Sequence, residues 1–327
     1  MSRRSFFQYN EPSYYGFGLR LGIANLFRNG FSLGLKRTVG LVTQPINSHW
    51  RFPEYHFLGS GIQDALTRCD RAKPIRILDV GSPKCFGMYL AHKFAVEAHL
   101  TDIDAPTLRE AEGLWGGGKH KAKGAVHLSL QDARSLGYPD ACFDVVFSMS
   151  VVEHIEGREG DIQAIREMVR VLKPGGTLGV SVPFGPTYAE QEIVGFRGGA
   201  QKTNDHRRYF FQRIYSDKAL ESRILGAAPG FGLLRRVSVG RSGRLLWRTH
   251  GRLGPIPGLL GFLYPVLSTL SNSVHEGLVP PPGRYGELNT PGDIYGDAIL
   301  VLQKPVVPGS LGQQSTTHAA AAHAAAG

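Results

Sequence analysis

From Ile75 to Pro183 short apolar runs alternate with amphipathic stretches. Ile75–Val80 reads IRILDV, apolar enough to be buried and bounded by Pro74 and Gly81. Gly87–Phe94 has helical spacing, Val96–Ile103 predicts a second strand, and Pro106–Leu114 a helix with Asp104 as its cap. Gly116–Gly124 (GGGKHKAKG) reads as a loop. Strands follow at Ala125–Leu130 and Phe143–Met149, then a helix over Asp161–Leu172 and a strand over Thr177–Pro183. Strands separated by helices form parallel βαβ units with right-handed crossovers. The predicted fold class is a doubly wound α/β sheet.

The flanks are less regular. Residues 1–74 are rich in glycine and aromatics and form the predicted N-terminal arm, in which Leu19, Ile23, Leu26 and Phe27 share one helix face. Pro45–Leu58 (PINSHWRFPEYHFL) reads as an ordered loop or short helices, with Arg51, Glu54 and Tyr55 either forming a lid or packing as part of the arm. After Pro183 come a basic insertion, Phe184–Arg208, a helix from Ser216 and a strand over Leu233–Val239. An apolar, proline-interrupted insertion at about 251–285 precedes the last strand, Asp297–Leu302, which closes the domain at about residue 304. The tail 305–327 is compositionally biased and expected to be disordered.

Composition narrows the setting. Of 327 residues 42% are hydrophobic, enough for one large α/β domain with additions. Cys69, Cys85 and Cys142 lack metal-ligand spacing, so no metal site is expected and a reducing, cytoplasmic compartment is. No apolar run follows Arg3 and Arg4, so no secretory signal is expected. Pro257 and Pro265 break the longest apolar stretch before it reaches the roughly 18 residues of a span. Residues 251–271 are expected to form a surface element that touches a membrane only peripherally.

The formal charge of +10 is unevenly spread: residues 193–255 hold 13 Lys and Arg against 3 Asp and Glu, whereas 76–192 hold 12 against 16. A mildly acidic core flanked by basic segments suits an anionic substrate, an anionic lipid surface or nucleic acid, and is equally a solvated face. No nucleic-acid-binding motif accompanies the charge, which argues against a nucleic-acid partner.

Candidate chemistry begins at ILDVGSPKCFG, residues 77–87. An acid near the end of a buried strand followed by Gly81 suits a nucleotide-like ligand, because glycine admits close approach to the backbone. Asp102 ends the next strand about 20 residues later, where a carboxylate accepts from ribose hydroxyls. Read without context, each is equally a turn or a cap. The absence of G-x-G-x-x-G excludes the usual dinucleotide-binding loop.

Taken together, ILDVGSP, LTDID, LQDARSL, FDVVFSMSVVEHIEG and VRVLKPGGTLGVSVP resemble, in order and spacing, the class I S-adenosylmethionine (SAM)-dependent methyltransferases, chiefly the ubiquinone/menaquinone-type and related small-molecule group. The resemblance covers roughly residues 75–240 and 297–304. It implies a Rossmann-like, mostly parallel seven-stranded sheet with the last strand antiparallel, SAM as cofactor, and methyl transfer to O, N or C of a small-molecule or lipid- or sugar-linked acceptor. It also implies cofactor contacts from Asp79, Gly81, Asp102, Ile103, Asp132, Ala133, Ser148 and Met149, with Ser150 on the substrate side of the cleft. Beside it, Ser82 is expected to add a hydroxyl to the cofactor loop, and Arg207 and Tyr209 either clamp an anionic substrate or form a solvated face. His154 and His206 are the candidate general bases. The sequence departs from the family at Ser82, Pro83, Lys84 and Cys85, where further glycines are usual, and Pro83 removes an amide donor. That departure motivates a second reading, a SAM-binding regulatory domain without catalysis. The basic 193–255 segment motivates a third, an RNA methyltransferase.

Overall fold

A computed structural model describes residues 12–29, 52–70, 72–116, 122–194, 196–197, 201–202, 206–241, 272–276 and 296–306. Among the described residues two helices, α1 (Pro12–Asn29) and α2 (Phe52–Arg68), precede the first strand. Then β1 (Ile75–Val80), α3 (Lys84–Lys93), β2 (Val96–Asp102), α4 (Ala105–Gly116), β3 (Ala125–Leu130), β4 (Phe143–Met149), α5 (Gly160–Val171) and β5 (Leu172–Phe184) alternate as the apolar pattern predicts. β6 (Ala189–Val194) and β7 (Arg208–Ile214) pair antiparallel outside the main sheet. Helical turns at Asp217–Leu225 lead to β8 (Gly232–Arg241), β9 (Asn272–Glu276) and β10 (Gly296–Gln303).

The sheet runs β9-β8-β10-β5-β4-β1-β2-β3. β3, β2, β1, β4 and β5 are parallel neighbours, and β10 runs antiparallel to both β5 and β8. This is the expected doubly wound set of seven, with β9 added as an eighth edge strand. β1 is buried almost throughout because helices cover both faces. Ile77 packs into the layer of α1, α2 and α3, and its neighbour Leu78 into the layer of α5, so the period-two alternation feeds two cores. Strand order reverses between β1 and β4, and in such sheets ligands bind beyond the carboxyl ends of the strands at that point.

Two readings of the arm need correction. Phe52–Arg68 is one continuous helix. Gly59 and Gly61 lower its intrinsic propensity but admit close packing, since a Cβ at Gly61 would lie 2.7 Å from Val301. α1 buries Tyr14, Phe17 and Leu21, while Ile23 and Phe27 are 40% and 80% exposed. Aromatic packing selects that face: the Tyr14 ring lies 4.6 Å from Tyr55 and 5.4 Å from Tyr89. Lys173–Gly176 sits inside β5 as a bulge, where the register jumps from Phe143↔Leu172 to Val145↔Thr177.

Residues 251–271, the tail beyond 306 and most of the Gly116–Gly124 loop lie outside the described residues. Among the described residues no helix is long and apolar enough to cross a membrane, and no cluster of His, Cys, Asp and Glu could hold a metal.

Candidate cofactor and substrate cleft

A cleft of about 510 Å³ opens where β1, β2 and β4 end. Gly81 is one wall, at φ +76, a conformation that favours glycine. A Cβ there would sit 2.6 Å from Val151 Cγ1, so only a bare backbone fits. Its N–H donates to the Thr101 carbonyl at 3.0 Å, tying the loop to β2.

Four of the expected cofactor residues stand behind this wall. Asp79 Oδ1 accepts from the Ser82 N–H, Ser82 Oγ accepts from the Met149 N–H, and Ser148 Oγ donates to the Val80 carbonyl, all at 2.9 Å. Asp79, Ser82, Ser148 and Met149 are all buried, and none of them lines the cleft. They shape the loop from beneath. Burial pushes the Asp79 carboxyl up to about 6, against the pull of Lys84 and the Ser82 N–H.

Lys84 answers the departure from the glycine loop. Its ammonium donates to the Ser82 and Thr101 carbonyls, both at 2.8 Å, and lies 3.0 Å from Asp102 Oδ2. All three of its donors are used. A lysine in the first turn of a helix ordinarily reads as exposed, so the role of Lys84 was not legible in the sequence. Asp102 Oδ1 accepts from the Asp104 N–H at 3.0 Å. A carboxylate has about four lone-pair sites, so two stay open toward the cleft. Asp104 in turn caps α4 through Thr107.

Beyond Asp102, Ile103 lines the cleft and is 69% exposed, an apolar shelf suited to a flat ring. Asp132 and Ala133 line it too. Asp132, however, is engaged by Arg134, whose Nε lies 3.0 and 3.1 Å from the two carboxylate oxygens and whose Nη2 is 2.6 Å from Oδ2. The Arg134 hydrogen bonds hold the Asp132 carboxyl below the usual carboxylate range. For Asp132 to accept from an adenine amine, Arg134 must share it.

The opposite wall carries Ser150 and His154. His154 Nδ1 donates to the Phe211 carbonyl at 2.6 Å, since a carbonyl only accepts, which leaves Nε2 as the proton-accepting nitrogen. Nε2 lies 3.6 Å from the buried carboxylate of Glu153. The imidazole thereby joins the β6–β7 hairpin to the cleft. Arg213, buried in the same hairpin, donates to the Ile155 carbonyl at 2.7 Å and to the Gly157 carbonyl, fixing the next stretch of the wall. Its role was not legible in the sequence, where a basic segment reads as a solvated face. His206 and Arg207 are exposed just ahead of β7, and neither they nor Tyr209 line the cleft.

The structure therefore gathers Gly81, Asp102, Ile103, Asp132, Ala133, Ser150 and His154 around one cleft. A glycine wall, a carboxylate with two open acceptor sites and an apolar shelf fit a nucleoside bearing vicinal hydroxyls. Residues 78–180 match the family model for a methyltransferase domain. Over 109 residues the chain is 33% identical to ajmaline N-methyltransferase of Rauvolfia serpentina, covering 32% of this chain and 35% of that one. Over 53 residues it is 43% identical to 27-O-demethylrifamycin SV methyltransferase of Amycolatopsis mediterranei (strain S699), covering 16% and 18%. The match thus spans about a third of the plant relative's length. The YcgJ protein of Bacillus subtilis superposes with a TM-score of 0.45 at 15% identity, over 77% of this chain and 99% of that chain. The match of residues 78–180 to a methyltransferase domain agrees with the class that the sequence motifs resemble.

Proposed function

We propose that the chain transfers the methyl group of SAM to a small-molecule acceptor. The observation that carries this reading is the convergence of Gly81, Asp102 and Ile103 on the cleft at the β1/β4 switch point. When bound, the cofactor supplies an electrophilic methyl group. Asp102 would accept from the two ribose hydroxyls, Ile103 and Ala133 would flank the adenine, and Gly81 would admit the ligand to the backbone.

Ser150 and His154 then fall to the acceptor. His154 Nε2 is positioned to take the acceptor's proton, with Glu153 stabilising the imidazolium that forms. Much of the remaining rate comes from holding the two reactants in line. The plant relative is named for N-methylation and the Amycolatopsis relative for a 27-O-demethyl compound, and both names support a small molecule as acceptor. The exposed His206–Arg208 segment would meet an anionic part of the substrate outside the cleft.

The test is metabolite profiling with methyl-labelled SAM, comparing extracts with and without the protein. Label entering a small-molecule fraction supports the reading. Label entering only RNA, or SAM binding with no transfer, contradicts it.

A further inference from the structure

We propose that Ser150, oriented by the buried carboxylate of Glu54, selects acceptor molecules that present a hydrogen-bond donor, an N–H or O–H group, to the cleft. This rests on the methyl-transfer reading above and specifies the substrate class it requires.

Ser150 directly follows β4 and lines the cleft. Its φ is +51, in the left-handed region that residues other than glycine adopt uncommonly. Its N–H is bound to the Ser181 carbonyl at 3.0 Å and approaches Ser181 Oγ at 3.2 Å, so β5 holds the turn in place. So turned, Ser150 Oγ lies 2.5 Å from Glu54 Oε1, and Ser181 Oγ lies 2.9 Å from the same oxygen. Glu54 is 1% exposed and comes from α2, outside the 78–180 stretch that matches the family model.

The donor direction follows from chemistry. An ionised carboxylate only accepts, so both hydroxyls donate to Glu54. A short O–H···O⁻ bond of this kind belongs to the strong, charge-assisted class. A serine hydroxyl has one proton, and here it points inward. Toward the cleft Ser150 Oγ can offer only lone pairs. A ligand group seated there must donate. An ether oxygen or an N-methylated ring nitrogen in the same place would leave the outward lone pairs of Oγ desolvated and without a donor, which disfavours it. Ser150 is thus the specificity-determining contact, and Glu54 is a positioning residue acting through it.

The test uses the full chain loaded with S-adenosylhomocysteine (SAH), with fragment affinities measured by ligand-observed NMR on two matched pairs: phenol against anisole, and indole against 1-methylindole. In the wild type the O–H or N–H member should bind roughly tenfold more tightly. Ser150→Ala should reduce that ratio below about threefold while SAH affinity, read by calorimetry, stays unchanged. Glu54→Gln should go further. Its amide can donate to Ser150 Oγ, which frees the serine proton to face the cleft and shifts preference toward anisole. A purely structural Glu54 predicts no such reversal. Equal binding within both pairs, no binding by either member, or a preference that survives Ser150→Ala overturns the proposal. A wild-type chain that binds no SAH overturns the methyl-transfer reading itself, which separates the two failures.

Discussion

Lys84 and Asp102 form an ion pair at 3.0 Å, and both are largely withdrawn from solvent, with side chains 5% and 16% exposed. Lys84 stands where the resembled family usually has further glycines, whereas Asp102 ends β2. Lys84 fixes the loop through the Ser82 and Thr101 carbonyls and presents Asp102 to the cleft with two acceptor sites open. Replacing it with methionine strands two carbonyls and a partly buried carboxylate. Lys84→Met should cost about 3 kcal/mol of stability, as broken buried pairs do, and weaken SAH binding by roughly tenfold. Urea unfolding and calorimetry on the one variant measure both effects.

Asp79 gives a pH signature. Its carboxyl sits at about 6 when folded, above the usual carboxylate range, because burial disfavours the charge. The folded state therefore holds this proton more tightly than the unfolded chain. The resulting stabilisation is fully present below about pH 4 and lost as pH rises through 6. Asp79→Asn removes the dependence. Relative to wild type, the variant should gain on the order of 2 kcal/mol between pH 4 and pH 7. A difference in unfolding free energy that stays flat over this range would sink the assignment.

The β1–β5 alternation was legible because buried parallel strands read as continuous apolar runs, as IRILDV does. Asp102 and Gly81 were legible for a related reason, since the ends of such strands are where ligands bind. The β6–β7 hairpin was not. AEQEIV alternates half-buried with exposed positions and carries charges, so it merged with the basic insertion around it. α2 was obscured by Gly59 and Gly61, whose value lies in contacts with Phe86 and Val301 rather than in local propensity. Ser150 was picked out by its place after β4, but its partner Glu54 is 96 residues away. No local pattern joins them. Likewise nothing in DHRRYF marks His206 and Arg207 as lying off the cleft wall.

His154 tests the chemistry. With Nδ1–H given to Phe211, only Nε2 can take a proton. Once an acceptor is known, His154→Ala should lower kcat by roughly 10²–10⁴, with little change in SAM affinity, because the loss falls on the transition state. Steady-state kinetics separates this from tethering. If the imidazole only joins the hairpin to the cleft, kcat stays near normal and KM rises.

The central claim is that this cleft binds SAM through Asp102, and calorimetric titration of SAM into the wild type and Asp102→Ala tests it most directly. The wild type should bind, and the variant at least roughly tenfold more weakly, since a hydrogen-bonded carboxylate contributes about 1.5–3 kcal/mol. A well-folded wild type that gives no binding signal, or an Asp102→Ala variant that binds SAM as tightly as the wild type, would contradict the account.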